Sequence, residues 1–115
     1  MTPAGPRRGE IWQVNFNPGR GSEQQGIRPA LVIQNDVGNE FAATTIVAAI
    51  TTTLKAYPVT VLVKRGEGGL KEPSMVNLAQ LLTIDKARLH RRLGRLSSER
   101  IEAVDAAIRV SLDVG

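Results

Sequence analysis

Between Glu10 and Phe16 the chain alternates, with Trp12, Val14 and Phe16 on one side and Gln13 and Asn15 on the other, the period of a half-buried strand. Asn17 to Gly26 then holds three glycines and no aliphatic residue, which predicts a long loop of the kind that carries function. Pro29 to Ile33 is a short unbroken apolar run, suited to a strand buried on both faces, and Thr44 to Ile50 repeats that character with β-branched residues. Asn35-Asp36 and Gly38-Asn39, between them, are turn chemistry. From Pro58 to Lys64, Val59, Val61 and Val63 alternate with Thr60, Leu62 and Lys64, so one face is solvated and Pro58 belongs at the strand's start or on a sheet edge. Gly66 to Gly69 closes that strand as a flexible turn, and the irregular apolar positions of Ser74 to Ile84 predict a further pair of strands. Ser97 or Ser98 caps a C-terminal helix whose Ile101, Val104, Ile108 and Leu112 fall at i, i+3, i+7 and i+11. Five or more short strands and one packing helix describe a mainly β domain, a small curled antiparallel barrel closed on one side by the helix.

With 115 residues there is room for a single domain, expected over 1–115 with residues 1–6 as a flexible tail. Apolar residues make up 42% and charged residues 23%, a globular composition, and the longest apolar run, Ile46 to Ile50, is too short for a bilayer. Arg7-Arg8 has no apolar stretch behind it, so no secretory signal is read and a cytoplasmic protein without membrane contact is expected. The absence of cysteine removes disulfides, thiolate metal sites and a cysteine nucleophile together. His90 is the single histidine, which argues against a Ser-His-Asp triad and a zinc centre; oxygen-ligand sites for magnesium stay open, and no cofactor is expected. The net charge of +4 points to an anionic partner, nucleic acid being the commonest for a basic domain of this size.

Several groups then stand as candidates, each with an ordinary structural alternative. Gly19-Arg20-Gly21-Ser22 lacks the G-x-x-x-x-G-K-[ST] spacing and leads into a strand, so it does not read as a nucleotide cradle. Arg28 lies between the loop and a buried strand, its backbone held extended by Pro29. A guanidinium there suits a phosphate, but on composition alone pairing with a nearby carboxylate is the more ordinary reading. Thr51-Thr52-Thr53 ends an apolar strand, where hydroxyls can bind an anion or satisfy the departing backbone. From Lys86 to Arg95 there are five Lys or Arg and no acid, either a nucleic-acid footprint or a solvated face. His90, inside that run, reads as an exposed surface residue, and Asp36 with Glu40 is too small a pair to indicate a metal.

Taken together, Arg8-Gly9-Glu10-Ile11-Trp12, the Gly21-Ser22-Glu23-Gln24-Gln25-Gly26-Ile27-Arg28-Pro29 block before an apolar strand, Ala48-Ala49-Ile50-Thr51 and Thr83-Ile84-Asp85-Lys86 resemble the MazF/PemK family of toxin endoribonucleases. The resemblance implies an SH3-like or CcdB-like barrel, a homodimer, and cleavage of single-stranded RNA at short sequences without metal, leaving a 2′,3′-cyclic phosphate and a 5′-hydroxyl. It makes Arg28 and Thr51 the catalytic pair, Glu23 and Gln24 the contributors to sequence recognition, and Gln80 a base contact, with Arg20 and Lys86 completing the RNA-binding set. Its partner would be a MazE-like antitoxin whose acidic tail lies across the RNA groove. Some relatives carry an acid before the Gln of the Thr-Ile-Asp block, where this chain has Ala79. The proton acceptor would then be Glu23, solvent or a group of the other subunit. Two rivals remain: a gyrase poison resembling CcdB, which would end in a Trp-containing segment unlike Asp113-Val114-Gly115, and a non-catalytic RNA-binding module, which Ala79 would suit.

Overall fold

The computed structural model describes residues 5–17, 26–55 and 57–115. In chain order the elements are β1 (Glu10–Asn15), β2 (Ile27–Val32), α1 (Asp36–Phe41), β3 (Thr44–Thr51), β4 (Thr60–Val63), β5 (Ser74–Asp85), β6 (Leu89–Arg95) and α2 (Ser98–Leu112). Tight 3-10 turns occupy Glu67–Gly69 and Lys86–Arg88. The six strands form one antiparallel sheet in the order β4-β5-β3-β2-β1-β6, and with α2 packed on it the molecule is mostly β with a C-terminal helix, as its patterning predicts. The expected loop over 17–26 lies outside the described residues except for its ends, and of the expected tail only Gly5 and Pro6 are described, Pro6 being buried.

Because β2 and β3 are apolar on both sides, the sheet carries a core on each face. Ile11, Leu31, Ala48, Ile50, Val76 and Leu78 pack on one face against Val104 and Ala107 of α2. Val14, Phe16, Ala30, Val32, Val47 and Ile84 form the second cluster on the other. The β4 edge strand begins at Thr60, just after Pro58, and buries Val61 and Val63 while Leu62 faces out, as the alternation requires.

Four details depart from the sequence reading. Ser74 to Asp85 is one twelve-residue strand rather than two, because Leu78, Ala79 and Gln80 bulge between the pairs Asn77↔Ala49 and Leu81↔Ala48 and absorb the irregular pattern without breaking the strand. The turn chemistry at 35–39 builds a short helix: the Asn35 side chain accepts from Gly38 N–H at 2.8 Å, and Asn39 is buried with its Oδ1 accepting from Thr45 Oγ1 at 2.7 Å. Leu112 is 53% exposed, and Ala107 fills the core position instead, because the apolar stripe runs off the sheet at the helix's last turn. The glycines at 66–69 do not form a loose turn. They lie against β6, where a Cβ on Gly69 would meet the Leu93 carbonyl oxygen at 2.1 Å and one on Gly94 would meet Gly68 backbone at 2.5 Å.

That glycine contact joins the two ends of the sheet, since the turn leaves edge strand β4 and β6 is the opposite edge. Arg100 of α2 grips the same turn through two bonds to Glu67, Nε to Oε2 and Nη2 to Oε1, both 3.0 Å. Ser97 caps α2, Arg8 reaches Asp105 at 2.8 Å, and Ser111 Oγ donates to the Leu78 carbonyl at 2.7 Å, so the helix is tied down along its length.

Replacing Gly69 by Ala should therefore destabilise the fold far more than the same change at Gly66. Both have positive φ, 78° and 90°, which costs an L residue about 1–2 kcal/mol, but nothing lies within 4 Å of a Cβ on Gly66. Urea midpoints of the two variants, if equal, would show that the backbone contact is unimportant. A second expectation concerns acid. The Arg100 bonds, and then the Lys64 N–H, hold the Glu67 carboxyl below its ordinary 4.5, while the Arg8 N–H and then Asn39 do the same for Asp36 below 3.8. A carboxylate depressed in the folded state contributes stability above its unfolded value and loses it as pH falls through the folded one. Stability should accordingly decline below about pH 4.5, and Glu67→Gln should show a shallower decline, measured by urea unfolding between about pH 5 and pH 3.

Candidate active site

Pairing between β2 and β3 runs from Val32↔Val47 to Ala30↔Ala49 and stops there. The next residue of β2 is Pro29, which has no N–H to donate, so the ladder ends for a reason written in the sequence. Arg28 and Thr51 each lie two residues past that last pair, one on each strand. Alternation puts both side chains on the face that carries Ala30, Ala49 and Val47. On its other side Arg28 stands opposite Val14 of β1, and Thr51 stands opposite Met75 of β5. Two residues that are 23 positions apart in the sequence are thus brought to neighbouring strand ends, where the core gives way to solvent: Arg28 is exposed and Thr51 half-buried.

Thr51 Oγ1 accepts from the Thr53 N–H at 3.1 Å, which uses one lone pair and leaves the hydroxyl proton for an incoming oxygen. Around it opens a pocket of about 100 Å³ whose lining includes Thr53, Lys55, Tyr57, Thr60 and Asn77. Hydroxyls, an amide and an ammonium around a small opening suit a phosphodiester, with Tyr57 half-exposed at 52% beside it. Lys55, Tyr57 and Thr60 were not singled out by sequence reasoning. Their available signal was the threonine-rich strand end followed by the chain's one Tyr, but which of these residues faces Thr51 is decided by the return of β4 against β5. On the opposite side of the sheet, where Pro29 and Thr52 alternate with Arg28 and Thr51, a groove of about 360 Å³ is bordered by Gln13, Lys71 and Arg91.

Gln80 is half-buried in the β5 bulge, beside Ala79, whose N–H donates to Asn77 Oδ1 at 3.0 Å. Arg20, Glu23 and Gln24 lie outside the described residues. Lys86 is directed inward, its ammonium donating to the Asn39 carbonyl beneath α1. The basic run is therefore divided. Arg88 donates to the backbone of 15 and 17, Arg92 pairs with the buried carboxylate of Glu10 at 2.7 Å, and His90, Arg91 and Arg95 face solvent. Among the described residues no three His, Asp or Glu side chains gather to hold a metal ion, and no helix is long and apolar enough to cross a membrane.

Residues 7–112 match the family described as PemK-like, MazF-like toxin of type II toxin-antitoxin system. Endoribonuclease EndoA of Bacillus subtilis (strain 168) is 42% identical over 108 residues, covering 92% of this chain and 93% of that one. The crystal structure of MazF (Form-I) from Deinococcus radiodurans superposes with a TM-score of 0.83 at 24% identity, over 97% of this chain and 100% of that one. An endoribonuclease in complex with its cognate antitoxin, from Mycobacterial species, superposes at 0.82 with 22% identity, over 96% and 97%.

The Thr51 hydroxyl contributes one exposed local bond to folding, so its removal should be nearly silent for stability. Thr51→Val should shift the unfolding free energy by less than about 1 kcal/mol. A loss several times larger in urea unfolding would mean that Thr51 is held there for structure.

Proposed function

Because the chain belongs to the PemK-like, MazF-like toxins of type II toxin–antitoxin systems, we propose that it is an endoribonuclease that cleaves single-stranded RNA, held in check by a cognate antitoxin. The observation that supports the reading is that Arg28 and Thr51 each lie two residues beyond the last β2–β3 pair, on adjacent strands, in a chain 42% identical to an endoribonuclease over nearly its whole length.

The chemistry these residues support uses the substrate's own nucleophile. The ribose 2′-oxygen attacks the adjacent phosphorus and gives up its proton, and the bond from phosphorus to the 5′-oxygen breaks. That oxygen takes a proton, and the products are a 2′,3′-cyclic phosphate and a 5′-hydroxyl. The protein's part is to align the strand and to meet the negative charge that grows on the phosphoryl oxygens. Arg28 supplies a permanent charge and a two-pronged donor, too weak an acid to transfer its proton readily. Thr51 donates its O–H to a non-bridging oxygen, and Lys55, which lines the pocket at Thr51, adds positive charge there. Gln80 at the bulge would contact a base edge, and Arg20, Glu23 and Gln24 would act from the β1–β2 connection. Lys86, committed to the Asn39 carbonyl, is left out of this reading. The antitoxin would present an acidic extended segment to this basic chain and compete with RNA for the same face, the toxin acting as a homodimer.

The test is cleavage of a single-stranded RNA by the purified protein in EDTA, with the fragment ends identified. Cyclic phosphate and 5′-hydroxyl ends are expected, and activity that vanishes in EDTA and returns with magnesium would overturn the mechanism. Arg28→Ala should fold normally and lose about 10²–10³ in rate, as removal of one aimed donor does, and Arg28→Lys should recover little because a point charge cannot engage two oxygens. A folded Arg28→Ala protein within threefold of the parent would remove Arg28 from the site.

A further inference from the structure

Arg88 closes the 3-10 turn between β5 and β6, and its guanidinium is spent on the backbone of another element. Nη1 donates to the carbonyl oxygen of Asn15 at 3.0 Å and to that of Asn17 at 2.6 Å. Asn15 is the last residue of β1, and the β1–β6 pairing ends one position earlier, at Val14↔Leu89. Where the backbone ladder stops, the side chain of the preceding residue in β6's approach takes over, with a charged donor in place of a neutral amide.

The same short stretch holds the returning chain. Phe16 N–H donates to the Gly26 carbonyl at 2.8 Å, and Gly26 N–H donates to Asn17 Oδ1 at 3.0 Å. Residues 15–17 and 26 therefore form a closed neck, gripped from outside by one cation. Arg28 follows Gly26 by two residues, in the part of β2 that has already lost its pairing to β3 and is held laterally by β1 through Val14↔Arg28 and Asn15↔Ile27. Arg28 is thus held against the end of β1, and Arg88 adds two charged side-chain bonds to that end beyond its last pair with β6.

We infer that Arg88 is a positioning residue for the RNA-cleaving site, acting through the neck on Arg28 rather than by contact with RNA. This inference rests on the function proposed above. Its near neighbour Lys86 likewise turns its charge inward, onto Asn39, so the turn as a whole serves to join elements.

The experiment compares steady-state RNA cleavage, over a range of RNA concentrations, by the parent, Arg88→Ala, Arg88→Lys and Arg28→Ala proteins and the Arg28→Ala/Arg88→Ala double variant, with amide exchange at Phe16 and Gly26. Arg88→Ala should lower kcat about 10–100-fold, the scale of a small misplacement of a catalytic group, with KM within about twofold. Exchange at Phe16 and Gly26 should quicken. Arg88→Lys, with an ammonium able to reach one carbonyl, should restore part of the rate. In the Arg28→Ala background, Arg88→Ala should cost little more, because the two act as one unit. Should Arg88→Ala fail to fold, Arg88→Lys and Asn17→Ala carry the same comparison, Asn17→Ala removing the acceptor of the Gly26 N–H. A raised KM with unchanged kcat and a weaker salt dependence would make Arg88 a phosphate contact and overturn the inference, as would losses that multiply independently of Arg28. A parent protein that does not cleave RNA would overturn the functional reading instead, whereas an active parent with an unimpaired Arg88→Ala overturns only this inference.

Discussion

The two open edges of the six-stranded sheet come together where the 3-10 turn after β4 lies on β6, and they can do so because Gly68, Gly69 and Gly94 present bare backbone to one another. A sheet of this length left flat would expose one apolar face and two unpaired edges. Bringing its ends into contact curls it, so that Ile11, Leu31 and Val76 converge with α2 on the inside while Val14, Val32 and Val47 cluster on the outside. The Glu67–Arg100 pair reinforces the closure at the same spot, joining the glycine turn to the helix that covers the barrel.

The candidate site lies at the limit of this closed core. Core residues on β2 and β3 pair up to Ala30 and Ala49, and Pro29 then removes the donor that would continue the ladder. Polar side chains just beyond the last pair are anchored by a buried strand yet face water, which combines a rigid support with access for a large substrate. The bulge at Leu78–Gln80 repeats this arrangement on β5, with its base tied to α2 through Ser111. Strand ends and bulges on a stiff barrel hold reacting groups with less freedom than loops alone would.

Charge follows a similar division of labour. A run of basic residues reads as a single surface, but Lys86 and Arg88 donate to backbone carbonyls and Arg92 offsets the buried Glu10 carboxylate, which also accepts from Trp12 Nε1 at 3.1 Å. Much of the positive charge near β6 is thus consumed in joining β1, α1 and the strand itself. Arg91 and Arg95 of the same run stay exposed to solvent, as do Arg28 on β2 and Lys55 in the β3–β4 connection.

By itself the sequence determined the local elements whose signals are short-range: the alternation of β1 and β4, the apolar runs of β2 and β3, the Ser97 cap and the Val104 face of α2. It also determined the family, through the block around Arg28 and Pro29 together with the Ala48–Thr51 strand end. Only the tertiary structure decided what depends on partners far along the chain. A strand pattern in Ser74–Asp85 cannot reveal whether a phase break is a turn or a bulge, because that depends on whether β3 continues beside it. Likewise, a glycine cluster gives no sign that it will meet Leu93, and an arginine gives no sign that its donors will find the carbonyls of Asn15 and Asn17, more than seventy residues earlier. Hydrophobic periodicity reports which face is buried, and a hydrogen-bonding side chain acquires its partner only when the sheet has closed.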